Sequence, residues 1–185
     1  MIDKCPAAHY RKYEEGRFHG VPKVSIYIPA YNASNYIKEA VDSVLNQSFT
    51  DLEVVIVNDG STDSTVDILE KNYSSNPRVK WVTQENKGIG AASNRAIGLC
   101  RGHIIGQLDA DDRLKPDAIA GLLDYFNMPE VGCVYGCYEV INKEIKPYED
   151  KAVATSLITS LPPKGSVANI SKNENLNIVK NFHYI

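Results

Sequence analysis

Gly106-Gln107-Leu108-Asp109-Ala110-Asp111-Asp112 runs straight on from the apolar stretch His103-Ile104-Ile105, so three carboxylates in four positions stand at the end of what reads as a buried strand. Carboxylates that close repel one another unless a cation sits among them. Hard divalent cations that carry substrate phosphates are typically held by only one or two protein carboxylates, with the nucleotide completing the shell. An Asp-x-Asp at a strand end therefore points to metal-nucleotide chemistry. An acidic, solvated turn before a helix starting at Pro116 accounts for the same residues, and the motif alone does not choose between the two.

Upstream of this stretch the chain repeats one grammar. Val24-Ser25-Ile26-Tyr27-Ile28 is a β-rich run that Pro29, which has no N–H for a ladder, is expected to end. After the loop Ala30-Tyr31-Asn32, Ser34 is an expected N-cap for a helix whose stripe is Tyr36, Ile37, Ala40, Val41, Val44 and Leu45. Leu52 to Val57 forms the next strand and Asn58-Asp59-Gly60-Ser61-Thr62-Asp63 its turn, with Thr62 or Asp63 capping a helix striped by Val66, Ile68, Leu69 and Tyr73. Arg78 to Val82 is a third strand, followed by a helix after Gly90. The fourth strand ends at Asp109. A helix across Asp117 to Phe126 and a final strand from Val131 to Ile141 complete the count. Strands alternating with helices predict an α/β fold of one domain, a mainly parallel sheet with helices on both faces.

In such sheets ligands bind beyond the carboxyl ends of the strands, where loops converge. Pro29 to Asn32, Asn58 to Gly60, Gln84 to Gly88 and Asp109 to Asp112 all fall there. Tyr31 offers a flat face on which a base can stack, or packs over the sheet end. Asp59 can accept from a base N–H such as uracil's, or serve as a turn residue before Gly60. Gly88-Ile89-Gly90-Ala91-Ala92-Ser93 is a weak dinucleotide match, because Ser93 fills the third glycine position and the strand is not the first. His103, at the start of an apolar strand, reads as structural, and Cys133 with Cys137 as core.

Composition narrows the class. A chain of 185 residues, 43% hydrophobic and 23% charged, suffices for one domain with a real core. A net charge of −3 without aromatic-basic interleaving argues against nucleic acid as a partner. Cys5, Cys100, Cys133 and Cys137 form no Cys-x-x-Cys pair, which argues against a zinc ribbon or a thioredoxin-like site and for reduced thiols in the cytoplasm. The sequons at Asn46, Asn72 and Asn169 have no apolar signal stretch ahead of them and read as chance matches. No run approaches the roughly 18 apolar residues of a membrane span, so the expected membrane association is at most peripheral, at the inner face.

Taken in order, Val24 to Asn32, Asn58 to Asp63, Asn86-Lys87-Gly88-Ile89-Gly90 and Asp109-Ala110-Asp111-Asp112 resemble the successive signatures of family-2 inverting glycosyltransferases. Gly88 to Asn94 and Ile105 to Asp109 are similar to bacterial chondroitin, hyaluronan and heparosan-type capsule polymerases, the first two above all. Ala92-Ser93-Asn94 stands where most of the family has Ala-Arg-Asn. The resemblance implies the nucleotide-binding half of a GT-A (Rossmann-like) fold, a UDP-sugar donor, a glycan acceptor and Mn2+ or Mg2+. It would place Pro29, Ala30 and Tyr31 on uracil, Asp59 on its N3–H, Asp109 at the ribose and Asp111 on the metal at the diphosphate. Asn86, Lys87 and Ala110 would complete the donor-binding set.

The chemistry implied is transfer of a hexuronic acid or N-acetylhexosamine, with inversion, by in-line displacement at the anomeric carbon. A general base would deprotonate the acceptor hydroxyl. The family carries that base in a later acidic motif on the acceptor half. Glu149-Asp150 lacks its surroundings, so no catalytic residue is assigned. The resemblance covers roughly residues 22 to 142. It divides the chain into a lead-in (1–22), a UDP-sugar-binding domain (23–142) and a divergent or loop-rich tail (143–185), truncated on the acceptor side. A UDP-binding remnant or regulatory partner without turnover is the alternative. A phosphohydrolase with Asp109 as nucleophile leaves the other three loops unexplained. No feature specifies an oligomeric state.

Overall fold

A computed structural model describes residues 21–128, 131–136, 140–141, 147–148, 156–158, 169–173 and 176–180. Its centre is formed by β1 (Val24–Ala30) and β2 (Leu52–Asp59), both buried along their whole length. Such strands lack the polar alternation of a half-exposed sheet because both faces are covered. Ile26, Ile28, Val54 and Ile56 face a core shared with α1 (Ile37–Leu45), α2 (Thr65–Tyr73) and α4 (Ala118–Leu123). Tyr27, Val55 and Val57 face Ala92 and Ala96 of α3 (Ile89–Leu99) on the opposite side. One face thus takes branched aliphatics, and the other takes the alanine side of a close-lying helix.

With β3 (Val79–Gln84) and β4 (Ile104–Gln107), these strands form a parallel unit in the order β3-β2-β1-β4. Beyond β4 the sheet turns antiparallel through β8 (Ser156–Ile158), β5 (Cys133–Tyr135), β10 (Leu176–Lys180) and β9 (Asn169–Asn173). β6 (Val140–Ile141) and β7 (Pro147–Tyr148) pair apart from it. The expected parallel α/β core is present.

Four local expectations need correction. Pro29 does not end β1: Pro29 and Ala30 stay in register with Val57 and Asn58 of β2. Tyr27 accepts from Leu108 N–H on the β4 side, and alternate residues of a strand face the same neighbour, so Pro29 faces β4 too. The β4 ladder stops at Tyr27, so the missing proline donor has no bond to lose. Ser34 is not the N-cap of α1; it lies in a turn, and its N–H donates to Asp63 at 3.0 Å. The α4 segment is a short helix continued by a 3-10 turn, Asp124–Asn127. The strand expected across 131–141 is reduced to Cys133–Tyr135, and Val140–Ile141 belongs to the separate pair. Residues 1–20, most of 143–168, and Cys5 and Cys137 lie outside the described residues.

At the amino ends of the parallel strands lies Glu53, only 2% exposed. Its carboxylate accepts from Ser25 Oγ (2.8 Å), Arg101 N (2.8 Å), Arg101 Nε and Nη2 (3.0 and 2.8 Å) and Lys80 Nζ (3.3 Å). Gly102 N–H donates to Ser25 Oγ at 2.7 Å, and a Cβ at Gly102 would stand 2.5 Å from Ser25 N. Burial pushes the Glu53 carboxyl up, but the bonds from Arg101, Ser25 and Lys80 overcome it and hold the group below the ordinary carboxylate range. The depressed folded value means a contribution fully present above about pH 4.3 and lost as pH falls through that folded value. Glu53→Gln is expected to lower stability by about 2–3 kcal/mol at pH 7. In urea titrations the gap to wild type should close below about pH 4, and a gap constant across pH would refute this.

Candidate functional site

The chain leaves β1 towards β2 and β3, then crosses through α3 to β4 on the other side. The strand order therefore reverses between β1 and β4, and the crevice above that point is where open α/β sheets bind ligands. The loop after β1 carries Tyr31, 53% exposed, and Asn32, whose φ of 49° places it in the left-handed region. The loop after β4 carries Asp109, Asp111 and Asp112, all exposed, around a turn closed by Asp112 N–H donating to Asp109 O at 3.0 Å.

Side-chain bonds lock the loops to one another. Asn32 N–H donates to Ser61 Oγ at 2.9 Å, and its Oδ1 accepts from Thr62 N–H at 2.8 Å, joining the first two loops. Ala33 N–H donates to Thr65 Oγ1 at 2.9 Å. Asp63 accepts from Ser34 N–H and, at 3.0 Å, from Thr65 N–H as well as from Thr65 Oγ1, but the N-cap position of α2 is Ser64, which makes no side-chain cap bond, so neither Thr62 nor Asp63 is the cap the sequence predicts. Burial disfavours its charge, but these bonds bring its pKa down to about 2. The fourth loop and the start of α4 dock on α1 and the turn after it: Gln47 Nε2 donates to Lys115 O, Ile119 N–H donates to Gln47 Oε1, and Arg113 pairs with Glu39 at 2.8 Å.

Asp59, 3% exposed, joins the second loop to the third. Its carboxylate accepts from Gln84 Nε2 at 2.7 Å and from the backbone N–H groups of Lys87 and Gly88 at 2.9 and 2.8 Å. Burial raises its pKa, but these three bonds and the Lys87 charge lower it below the ordinary range. Gln84 Oε1 in turn accepts from Arg95 Nη1 at 3.3 Å. The turn-forming role foreseen for Asp59 thus falls on the neighbouring loop. A carboxylate offers about four lone-pair positions, so one remains.

The other expected site residues divide by exposure. Pro29 and Ala30 are buried, Ala30 in the core, so of the first trio it is Tyr31 that offers surface. Asn86 and Lys87 are exposed, and Ala110 is buried. Partial desolvation of its otherwise exposed carboxyl, together with the charges of Asp111 and Asp109, pushes Asp112 upward. Among the described residues no three His, Cys, Asp or Glu side chains converge as a metal cage. Two groups escaped the sequence reading: Gln84 and Gln107 sit at the last positions of β3 and β4. A polar amide closing an apolar strand beside a polar loop was their signal.

A family model described as "Glycosyl transferase family 2" matches residues 25–179. The chain belongs to that family. It is 54% identical to the chondroitin synthase of Escherichia coli over 72% of its length, and 47% identical to the hyaluronan synthase of Pasteurella multocida over 80%. It spans only 20% and 15% of those relatives. Among solved structures, that of S. aureus TarS 1-349 in complex with UDP-GlcNAc matches with a TM-score of 0.55 and 30% identity, covering 60% of this chain and 34% of that one. The mannosyltransferase PcManGT from Pyrobaculum calidifontis, in complex with GDP-Man and Mn2+, matches with 0.59 and 28%, covering 66% and 37%. The architecture is that of the GT-A glycosyltransferases. Among the described residues no helix is long and apolar enough to cross a membrane.

The close meeting of the second and third loops also shows in the backbone of this family-2 chain. Gly60 has a φ of 71°, and a Cβ there would lie 2.7 Å from Asn86 N. Gly60→Ala is expected to cost about 1–3 kcal/mol, since both the positive φ and the close approach to the third loop oppose a side chain. Thermal unfolding followed by circular dichroism checks it, and an unchanged midpoint would mean that the two loops do not meet so closely.

Proposed function

We propose that this chain is the donor-binding module of a metal-assisted glycosyltransferase that moves a hexuronic acid or N-acetylhexosamine from a UDP-sugar to a growing glycan with inversion. The observation that carries the reading is the exposed Asp109-x-Asp111 pair at the β1/β4 switch point, at the same end of the sheet as Tyr31 and Asp59. The relatives named as chondroitin and hyaluronan synthases, and the neighbour in complex with UDP-GlcNAc, support the donor class.

In this reading the Tyr31 ring stacks on uracil, a contact worth about 1–3 kcal/mol in comparable systems. Pro29 and Ala30 hold that loop from beneath. The remaining lone pair of Asp59 accepts from uracil N3–H, and the exposed Asn86 and Lys87 border the donor beside it. Asp109, with Ala110 behind it, meets the ribose. One or two carboxylates completed by phosphate oxygens suit a hard ion better than an all-protein cage. Asp111 would hold Mn2+ or Mg2+, which supplies charge neutralisation of the departing diphosphate. The base that frees the acceptor hydroxyl belongs with the acceptor-binding half. Work in the cytoplasm, peripheral at the inner face of the membrane, is part of the same reading.

Calorimetric titration of the full chain with UDP is expected to give binding that depends on Mn2+ and weakens about tenfold or more in Asp111→Ala. Absence of UDP binding in the presence of Mn2+ would sink the proposal. UDP release from UDP-glucuronate or a UDP-N-acetylhexosamine would mark a working transferase. Binding without release would leave either a module awaiting its acceptor half or a UDP-binding regulatory partner.

A further inference from the structure

Asp109 is exposed, on a turn, and two residues from the end of its strand, yet its carboxylate is held. Gln107 Nε2 donates to Asp109 Oδ1 at 3.0 Å, and Gln107 Oε1 accepts from Tyr27 Oη at 2.7 Å. The direction of this chain follows from its end. An ionised carboxylate only accepts, so Gln107 must turn its NH2 towards Asp109. Its amide oxygen then faces Tyr27, whose hydroxyl must donate. Had the amide turned the other way, two acceptors would face each other. Tyr27 is 8% exposed, and its ring packs in the core beneath α3. Tyr27 and Gln107 are also register partners across β1 and β4, and Leu108 N–H donates to Tyr27 O at 3.0 Å. Backbone and side-chain bonds therefore tie the same turn to the same core residue.

We infer that Gln107 is a positioning residue, anchored by Tyr27, that fixes the Asp109 carboxylate for hydroxyl donors of the nucleotide's ribose. The inference rests on the donor-site reading given above and adds what sets its selectivity for the sugar. With one lone pair of Oδ1 engaged by the amide, Oδ2 keeps both of its lone pairs for a ligand. Hydroxyls donate to it, while a deoxy position has nothing to donate. Without the amide, Asp109 would spread over several rotamers, and ordering it would draw on each binding event.

The test compares UDP with 2′-deoxy-UDP and 3′-deoxy-UDP by calorimetry in the presence of Mn2+, on the full chain and on Gln107→Leu, Gln107→Glu and Tyr27→Phe. Wild type is expected to prefer UDP over at least one deoxy analogue by about tenfold, the scale of a hydrogen bond to a charged group. Gln107→Leu should lose most of that preference by weakening UDP while leaving unchanged the analogue that lacks the contacted hydroxyl. Gln107→Glu should lose it further, because it turns a carboxylate on Asp109. Tyr27→Phe should lose a part. Equal weakening of all three nucleotides by Gln107→Leu, or a preference kept intact, would overturn the inference while leaving the donor site standing. Wild type that binds UDP without ribose preference would also overturn it. Wild type that binds no UDP would overturn the donor-site reading itself. Thermal unfolding of each variant separates a lost preference from a lost fold, and Tyr27→Phe, which removes a single oxygen, carries the test should Gln107→Glu fail to fold.

Discussion

A carboxylate with almost no access to water must find donors or take up a proton, and Glu53 finds five of them. They come from the start of β1, the start of β3 and the segment that leads from α3 into β4. All four parallel strands are therefore tied at one end through a single group. Pairing in register then carries that alignment along the strands, Val24 opposite Leu52 and Ile104, and Val54 opposite Val79. The heights at which the four loops emerge from the far end follow from it. A slip of one residue in the β1–β2 ladder would exchange its two apolar faces, one shaped for the aliphatic core of α1, α2 and α4 and the other for the alanines of α3.

At the carboxyl ends the same problem is solved with short-range pieces. Asn32, Asp63 and Asp59 each bridge two loops, and most of their partners are backbone N–H groups. Backbone donors leave side chains free to face a ligand. They also make the crevice a surface supported by the sheet, rather than a set of independent loops, which is the condition for holding a ligand without ordering it anew each time.

The strands and helices were legible because burial on both faces writes itself into the chain as unbroken apolar runs and helical stripes. Ile37, Ala40, Val41 and Val44 are the buried side of α1 as their spacing requires. The polar ties were not legible in the same way. Ser34 reads as an N-cap by type and place, but its N–H is taken by Asp63, 29 positions away. Asp59 reads as an acceptor for a base N–H or as a turn residue, but its partners within the chain are 25 to 29 positions on. Local pattern carries no record of such pairings. Nor does it record the strands beyond Lys143, since Asn169-Ile170-Ser171-Lys172-Asn173 has one apolar residue in five and gains its place in the sheet only through β10. The Asp-x-Asp motif, by contrast, lies in the loop directly after β4, at the strand end where its position after an apolar run put it.

The two ends of the sheet treat their carboxylates by opposite chemistry. Glu53 meets two cations, Arg101 and Lys80, so its charge is spent inside the protein. Asp59 and Asp109 meet glutamines, each oriented from behind by a donor on its amide oxygen, Arg95 for Gln84 and Tyr27 for Gln107. A neutral amide fixes the direction of a carboxylate without cancelling its charge. An arginine in place of Gln107 would hold Asp109 as firmly, but would compete with any cation or donor approaching the exposed turn. The choice of amide over cation therefore separates Glu53, whose charge is spent in the fold, from Asp109, which is kept available at the surface. The position of Gln107 directly before the acidic turn makes that choice readable from the chain itself.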